Sequence, residues 1–161
     1  RIDWLGDDEQ IEEVNQIKQD ADYGWPYIYG EGKYNPSEPP QGDTTYGQYL
    51  QKTTLPVLGY QAHSAPMQMA FYSGSMFPAE YQTSAFIAMR GSWNRQTPVG
   101  YKVVRLVFEN GRPVRFEDFL TGFLLQGNWA HFGRLVGVAV HPDGSLLVSD
   151  DTNGVIYRIA R

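Results

Sequence analysis

One unit of strands and turns recurs in this chain, and the recurrence constrains the fold more than any other feature. Pro66 to Tyr72 alternates roughly, Ser73-Gly74 breaks it, and Ser84 to Met89 is an apolar strand. Gly100 to Phe108 is a further strand, closed by Asn110-Gly111, a dipeptide that tolerates the positive φ angles of a tight hairpin. Val114 to Leu120 follows and stops before Thr121-Gly122. The pattern then restarts. Leu135 to Val140, Ser145 to Ser149 and Val155 to Ile159 are strands, separated by turns at His141-Pro142-Asp143-Gly144 and Asp150 to Gly154. The unit occurs once over 66–125 and once, truncated, over 134–161.

Four-stranded units of this length are the blades of a β-propeller; a flat β-sandwich with similar strand spacing is the alternative. Propellers close with about four to eight blades. A chain of 161 residues supplies one full unit, a three-stranded final unit and material from an earlier one. That does not close a ring. The expected fold is all-β, the last two to three blades of a larger propeller, with residues 1–161 the C-terminal part of a single domain. The strand missing from the final unit is what an N-terminal segment normally provides, and Arg1 to Leu5 reads as the middle of a segment. Such a piece leaves strand edges and apolar faces open, so its expected partners are the remaining blades or another copy of the chain.

The first 54 residues have a different texture. Ile11, Val14 and Ile17 recur at a spacing of three behind the acidic run Asp7-Asp8-Glu9, with Glu12-Glu13 between them. This predicts one short helix near the N-terminus whose acidic residues form a solvated face. Tyr23-Gly24-Trp25-Pro26-Tyr27-Ile28-Tyr29-Gly30 is a dense aromatic cluster, and 31–54 reads as a long irregular surface excursion.

Composition removes several functions. A net charge of −5 without a basic block argues against nucleic acid. The absence of cysteine excludes disulfides, thiolate metal sites and a cysteine nucleophile. No apolar run approaches the ~18–20 residues of a membrane span. No Gly-rich phosphate loop, HExxH, EF-hand loop or GxSxG is present.

The histidines stand far apart. His141 lies in an exposed turn, whereas His63 and His131 each precede an inner strand and suit a hydrogen-bonding role as well as a functional one. Asp150-Asp151 reads as a polar turn rather than a cation site, and the acidic run lacks the alternating ligand spacing of a calcium loop. Arginines beside aromatics are the stronger signal. Gly91-Ser92-Trp93-Asn94-Arg95 interrupts a hairpin, Gly133-Arg134 sits immediately before an inner strand, and Tyr23-Gly24-Trp25-Pro26 offers an aromatic platform. Guanidinium groups match carboxylates in a bidentate way, and aromatic rings stack on flat rings or sugar faces. Together they describe a site for a flat, aromatic polyanion with a sugar above it.

At these residues the sequence resembles the C-terminal portion of the soluble quinoprotein glucose/sorbosone dehydrogenases, in particular their L-sorbosone dehydrogenase-like branch. The resemblance is carried by Leu5-Gly6-Asp7-Asp8-Glu9, Asp22-Tyr23-Gly24-Trp25-Pro26-Tyr27, His63-Ser64-Ala65-Pro66, Phe77-Pro78, Gly91-Ser92-Trp93-Asn94-Arg95 with Gly100 to Arg105, Val136 to Val140, and Pro142 to Asp151. It implies a six-bladed propeller binding pyrroloquinoline quinone (PQQ), with calcium polarising the quinone, in a periplasmic or secreted oxidoreductase acting on an aldose or sorbosone-type sugar. It places Tyr23 and Trp25 beside substrate and quinone, Arg134 on a cofactor carboxylate, and Arg95 near the quinone oxygens with Arg90 as the alternative occupant. Arg90 departs from the histidine of this branch. The catalytic histidine and the calcium ligands of such enzymes belong to earlier blades, so no catalytic or metal residue is assigned here. The 161 residues alone are expected to be inactive. A non-catalytic propeller binding carbohydrate or protein is the competing reading; a calcium-dependent lactonase fits less well, because the channel-side candidates are arginines and aromatics rather than inward carboxylates.

Overall fold

The computed structural model describes residues 5–125 and 130–161; Arg1 to Trp4 and the Asn128-Trp129 pair that precedes His131 lie outside the described residues. Among the described residues the regular structure is nearly all β. A four-stranded antiparallel meander runs in the order β5 (Pro66–Phe71), β6 (Ala85–Met89), β7 (Lys102–Glu109) and β8 (Arg112–Leu120). A three-stranded meander follows: β9 (Leu135–Val140), β10 (Leu146–Asp150) and β11 (Val155–Ile159). Two smaller pairs precede them, β1 (Glu12–Val14) with β4 (Leu58–Tyr60), and β2 (Ile28–Tyr29) with β3 (Lys33–Tyr34). Asn110 and Gly111 both adopt positive φ, as the β7–β8 hairpin requires.

The four-stranded sheet is covered on both faces, which explains why β6 is buried along its whole length. Phe86 and Ala88 face one way and pack with Val103 against Leu135, Val138, Leu146 and Val148 of the three-stranded sheet. Ala85, Ile87 and Met89 face the other way with Val104 and Leu106, and meet Val14, Leu58 and Tyr60. A strand buried on both faces reads as a continuous apolar run. By contrast, β11 packs only Tyr157 and Ile159 against the core and leaves Ile156, on its other face, 70% exposed.

The expected N-terminal helix is not there. Residues 12–14 form β1, paired Glu12↔Tyr60 to Val14↔Leu58. Gln10 sits at φ 51°, outside any right-handed helix. Ile11 packs against Gly59 and Gly30, while Ile17 is 80% exposed, so the spacing of three never forms one buried stripe. Among the described residues the single short α-helix is α1 (Tyr46–Leu50), inside the segment read as irregular. Its start is fixed by a capping box, in which Thr45 accepts from the Gln48 N–H and Gln48 accepts from the Thr45 N–H.

Candidate functional site

The loop before β5, the β6–β7 loop and the loop before β9 converge at one end of the two larger sheets. Their backbones touch. The Arg90 N–H donates to the Ala65 carbonyl and the Gly91 N–H to the Ser64 carbonyl, each at 2.9 Å. Gly91 has φ 94°, and a Cβ there would lie 2.4 Å from the Tyr101 ring. His63, Ala65 and Tyr101 all hold positive φ in this cluster. For residues with a side chain this conformation is strained and persists only where the surroundings enforce it.

Arg134 is held by this knot. Its Nε donates to the Arg90 carbonyl at 3.3 Å and its Nη2 to the Gly91 carbonyl at 2.5 Å. The guanidinium lies 5.6 Å from the Tyr101 ring centroid. Among the described residues Arg134 has no carboxylate partner, so its charge is oriented by dipoles and a π-face without being neutralised. Its backbone is fixed by Asp150, whose Oδ1 accepts from the Arg134 and Thr152 N–H groups. Burial alone pushes the Asp150 carboxyl up. Hydrogen bonds from the Asn153 side chain and from the backbone of Arg134, Thr152 and Asn153 outweigh it and hold the group below the usual carboxylate range. Gly133 is required beside it, since a Cβ there would lie 2.3 Å from Asp150 Oδ2.

Arg95 lies on the loop from Arg90 to Gly100 and is 9% exposed at the side chain. Its Nη1 donates to the Ala62 carbonyl at 3.0 Å and its Nη2 to Asp8 Oδ1 at 2.6 Å, while its buried Nε–H has no partner. Asp7 accepts from the Gln96 N–H, and Glu9 pairs with Lys33 at 2.6 Å. The acidic run is thus a set of anchors across the chain, not the solvated helix face expected of it. A cleft of about 420 Å³ adjoins this pair, lined by Glu9, Tyr29, Lys33, Tyr60 and Gln61. Arg90 pairs with Asp151.

The aromatic candidates sit on a separate loop. Tyr23 donates its hydroxyl to the Gln16 carbonyl and accepts from the Lys18 N–H, both at 2.8 Å. Trp25 projects from a turn closed by the Tyr27 and Ile28 N–H groups on the Gly24 carbonyl. Neither shares a hydrogen bond or ring contact with Arg95 or Arg134. The loop is braced by Tyr49, whose hydroxyl donates to Asp22 Oδ2 at 2.6 Å; this bond, with burial, pushes the phenol up to about 12.

His63 is buried, and its Nε2 meets the Gly6 carbonyl at 2.9 Å. His131 is exposed, with its ring 5.1 Å from that of Tyr101. His141 is exposed beside Asp143. Among the described residues no three His, Asp or Glu side chains gather into a cation site. Sequence reasoning gave no site role to Tyr101 or Asp8 and read Asp150 as part of a polar turn. The glycines at 91, 100 and 133 were the only local signal that backbones meet closely there.

Comparison with known proteins follows the same lines. The TrAA12-like family profile matches residues 9–161. An uncharacterised protein of Borreliella burgdorferi is 37% identical over 165 residues, covering 98% of this chain and 41% of that protein. The PQQ-dependent pyranose dehydrogenase of Coprinopsis cinerea is 34% identical over 128 residues, 66% of this chain and 16% of the enzyme. Its solved PQQ domain, in the holo form, superposes with a TM-score of 0.71 at 26% identity, covering 94% of this chain and 44% of that domain. A calcium structure of the Trichoderma reesei family AA12 enzyme superposes with a TM-score of 0.75 at 24% identity, 96% of this chain and 44% of that one, a likeness of fold. The chain therefore spans less than half the length of these relatives and has the fold of part of a β-propeller. Its described residues contain no helix long and apolar enough to cross a membrane. The chain belongs to the TrAA12-like family, whose relatives include PQQ-dependent sugar dehydrogenases.

Proposed function

We propose that the full-length protein is a quinoprotein oxidoreductase that oxidises an aldose or sorbosone-type sugar, working in the periplasm or outside the cell. The observation that carries this reading is Arg134: a part-buried guanidinium aimed by two carbonyls and, among the described residues, without a carboxylate partner. Such a cation suits a carboxylate ligand.

The residues present fit a polyanionic cofactor. Arg90, Arg95 and Arg134 lie on loops that touch, and Arg95 keeps a buried, unpartnered Nε–H. Its acidic partner Asp8 is 89% exposed, so a ligand carboxylate could replace that ion pair at little cost. When bound, PQQ supplies the two-electron acceptor that no side chain can provide. Arg134 then holds a cofactor carboxylate. Arg95 donates toward the quinone side, with Arg90 as the alternative, released from Asp151. Tyr23 and Trp25 line the sugar side. Calcium ligands and the general base come from outside these 161 residues, which alone are inactive.

The test is reconstitution of the full-length protein with PQQ and calcium, followed by reduction of a dye acceptor on adding aldoses or sorbosone. Sugar-dependent reduction that requires PQQ supports the reading. Tight PQQ binding without turnover of any sugar would leave a non-catalytic binding module.

A further inference from the structure

Of the two rings assigned to the sugar side, one is committed inside the fold. The Tyr23 hydroxyl both donates to the Gln16 carbonyl and accepts from the Lys18 N–H. Trp25 is 53% exposed. A stacking contact with a sugar on this loop therefore falls to Trp25, and such a contact depends on the plane and direction of the ring. An exposed ring on a loop takes its direction from the backbone that carries it. That backbone is tied on both sides of Trp25. Ahead of it, Asp22 Oδ1 accepts from the Gly24 N–H at 2.7 Å, and the Asp22 carbonyl accepts from the Thr54 N–H at 2.6 Å. Behind it, the Pro26 carbonyl accepts from the side-chain amide of buried Asn35, and the Tyr27 carbonyl from the Asn35 N–H, both at 2.8 Å.

Both ties lead to α1. Tyr46 and Tyr49, three positions apart, share one face of that short helix. The Tyr49 hydroxyl donates to Asp22 Oδ2 at 2.6 Å, and its ring meets Tyr27 edge-on with centroids 4.6 Å apart. The Tyr46 hydroxyl donates to the Asn35 carbonyl. With its phenol pushed up to about 12, Tyr49 stays protonated, and so a donor, well above neutral pH. No residue of α1 is fully buried, so filling a core is not the main contribution of these two tyrosines. Their hydroxyls converge instead on the turn that carries the exposed tryptophan.

We infer that α1 is the positioning element of the sugar side: Tyr49, acting through Asp22, and Tyr46, acting through Asn35, fix the backbone before and after Trp25 and so set its ring for the substrate. The inference rests on the sugar reading above and deepens it by naming the residues that hold the substrate-side ring. Tyr46 and Tyr49 are positioning residues, because they touch the turn and not the sugar. A ring that covers the sugar equally in the ground and transition states changes KM and leaves kcat alone, so a misplaced Trp25 has that signature.

The test is steady-state turnover of the full-length protein loaded with PQQ and calcium, at saturating dye acceptor, for Tyr49→Phe, Trp25→Ala and the double variant. Tyr49→Phe removes one hydroxyl and should raise the sugar KM about three- to tenfold, the effect of about one hydrogen bond, with kcat within about twofold of the wild type. In the Trp25→Ala background the same change should have no further effect, since no ring is left to place. Tyr72→Phe, which removes a buried hydroxyl bonded to the Gly144 carbonyl, is the structural control and should leave KM unchanged. A second readout needs no turnover. In protein labelled with fluorotryptophan, the fluorine NMR line assigned to Trp25 by its loss in Trp25→Phe should shift in Tyr49→Phe and stay in place in Tyr72→Phe. An unshifted line overturns the inference, and so does an unchanged KM or a KM effect that persists undiminished in Trp25→Ala. A shifted line in a protein that turns over no sugar defeats the oxidoreductase reading and leaves Tyr49 as the residue that places Trp25.

Discussion

Arg105, in the middle of β7, and Arg134, just ahead of β9, each lie over a tyrosine ring, 4.4 Å from Tyr81 and 5.6 Å from Tyr101. Their charges are treated differently. Arg105 is buried, donates Nε to Ser84 Oγ at 2.8 Å, reaches the Glu80 carbonyl and pairs with Glu117 at 3.1 Å. Every part of that guanidinium is answered within the fold. Among the described residues Arg134 has ring and carbonyls but no carboxylate. Arg105 is therefore structural, and Arg134 has capacity left for a ligand. With both arginines over tyrosine rings, compensation of charge separates the two roles better than proximity to an aromatic does.

The largest effect that sharpens this contrast is on stability. Arg105→Met should lower the unfolding free energy by about 2–4 kcal/mol, because it strips a buried hydrogen-bonded network and leaves Ser84 and the Glu80 carbonyl without a donor. Denaturant unfolding reads it directly. Arg134→Ala should cost less, about 1–2 kcal/mol, because its two carbonyl contacts lie at a part-buried site where water can replace the guanidinium. If Arg134→Ala proves as damaging as Arg105→Met, the contrast between the two arginines fails.

Asp150 supplies the next test. Its carboxyl is held below the usual range in the fold, so it contributes stability that is present above the unfolded-state value of about 4 and is lost as pH falls through the lowered folded value. Asp150→Asn should therefore be less stable than the wild type at neutral pH, by roughly 1 kcal/mol. The two should converge at acid pH, as the carboxyl is protonated in the fold. Thermal melts between those limits show the convergence, and parallel curves would mean that Asp150 does not titrate in the hydrogen-bonded turn.

The smallest stability effect belongs to Asp8→Asn. It breaks an ion pair whose acidic member is largely in solvent, so unfolding should change by less than about 0.5 kcal/mol. The same change frees the Arg95 guanidinium and should tighten PQQ binding a few-fold. Weaker binding would place Asp8 on the ligand side rather than in competition with it.

The strands were legible because their signal is local. Apolar runs and Asn110-Gly111 place β5 to β11 within a residue or two at most ends. The N-terminal segment was not legible, because β1 exists only through β4, more than forty residues later, and through the positive φ of Gln10. The helix at Tyr46–Leu50 left a readable trace in Thr45-Tyr46-Gly47-Gln48, but no apolar stripe accompanies it and Gly47 weakens it. At the site, the arginines stood out as residue types. That Arg95 meets Asp8 while Arg134 meets only carbonyls depends on contacts between residues 43 to 87 positions apart, which no local pattern encodes.

The most direct measurement is a titration of the full-length protein with PQQ and calcium, followed by quinone absorbance, for the wild type and Arg134→Ala. Saturable binding that weakens about 10- to 100-fold in the variant, the loss expected for one charge-assisted contact, is the predicted result. Binding of equal strength in both proteins, or none in the wild type, would contradict the assignment of Arg134 to a cofactor carboxylate.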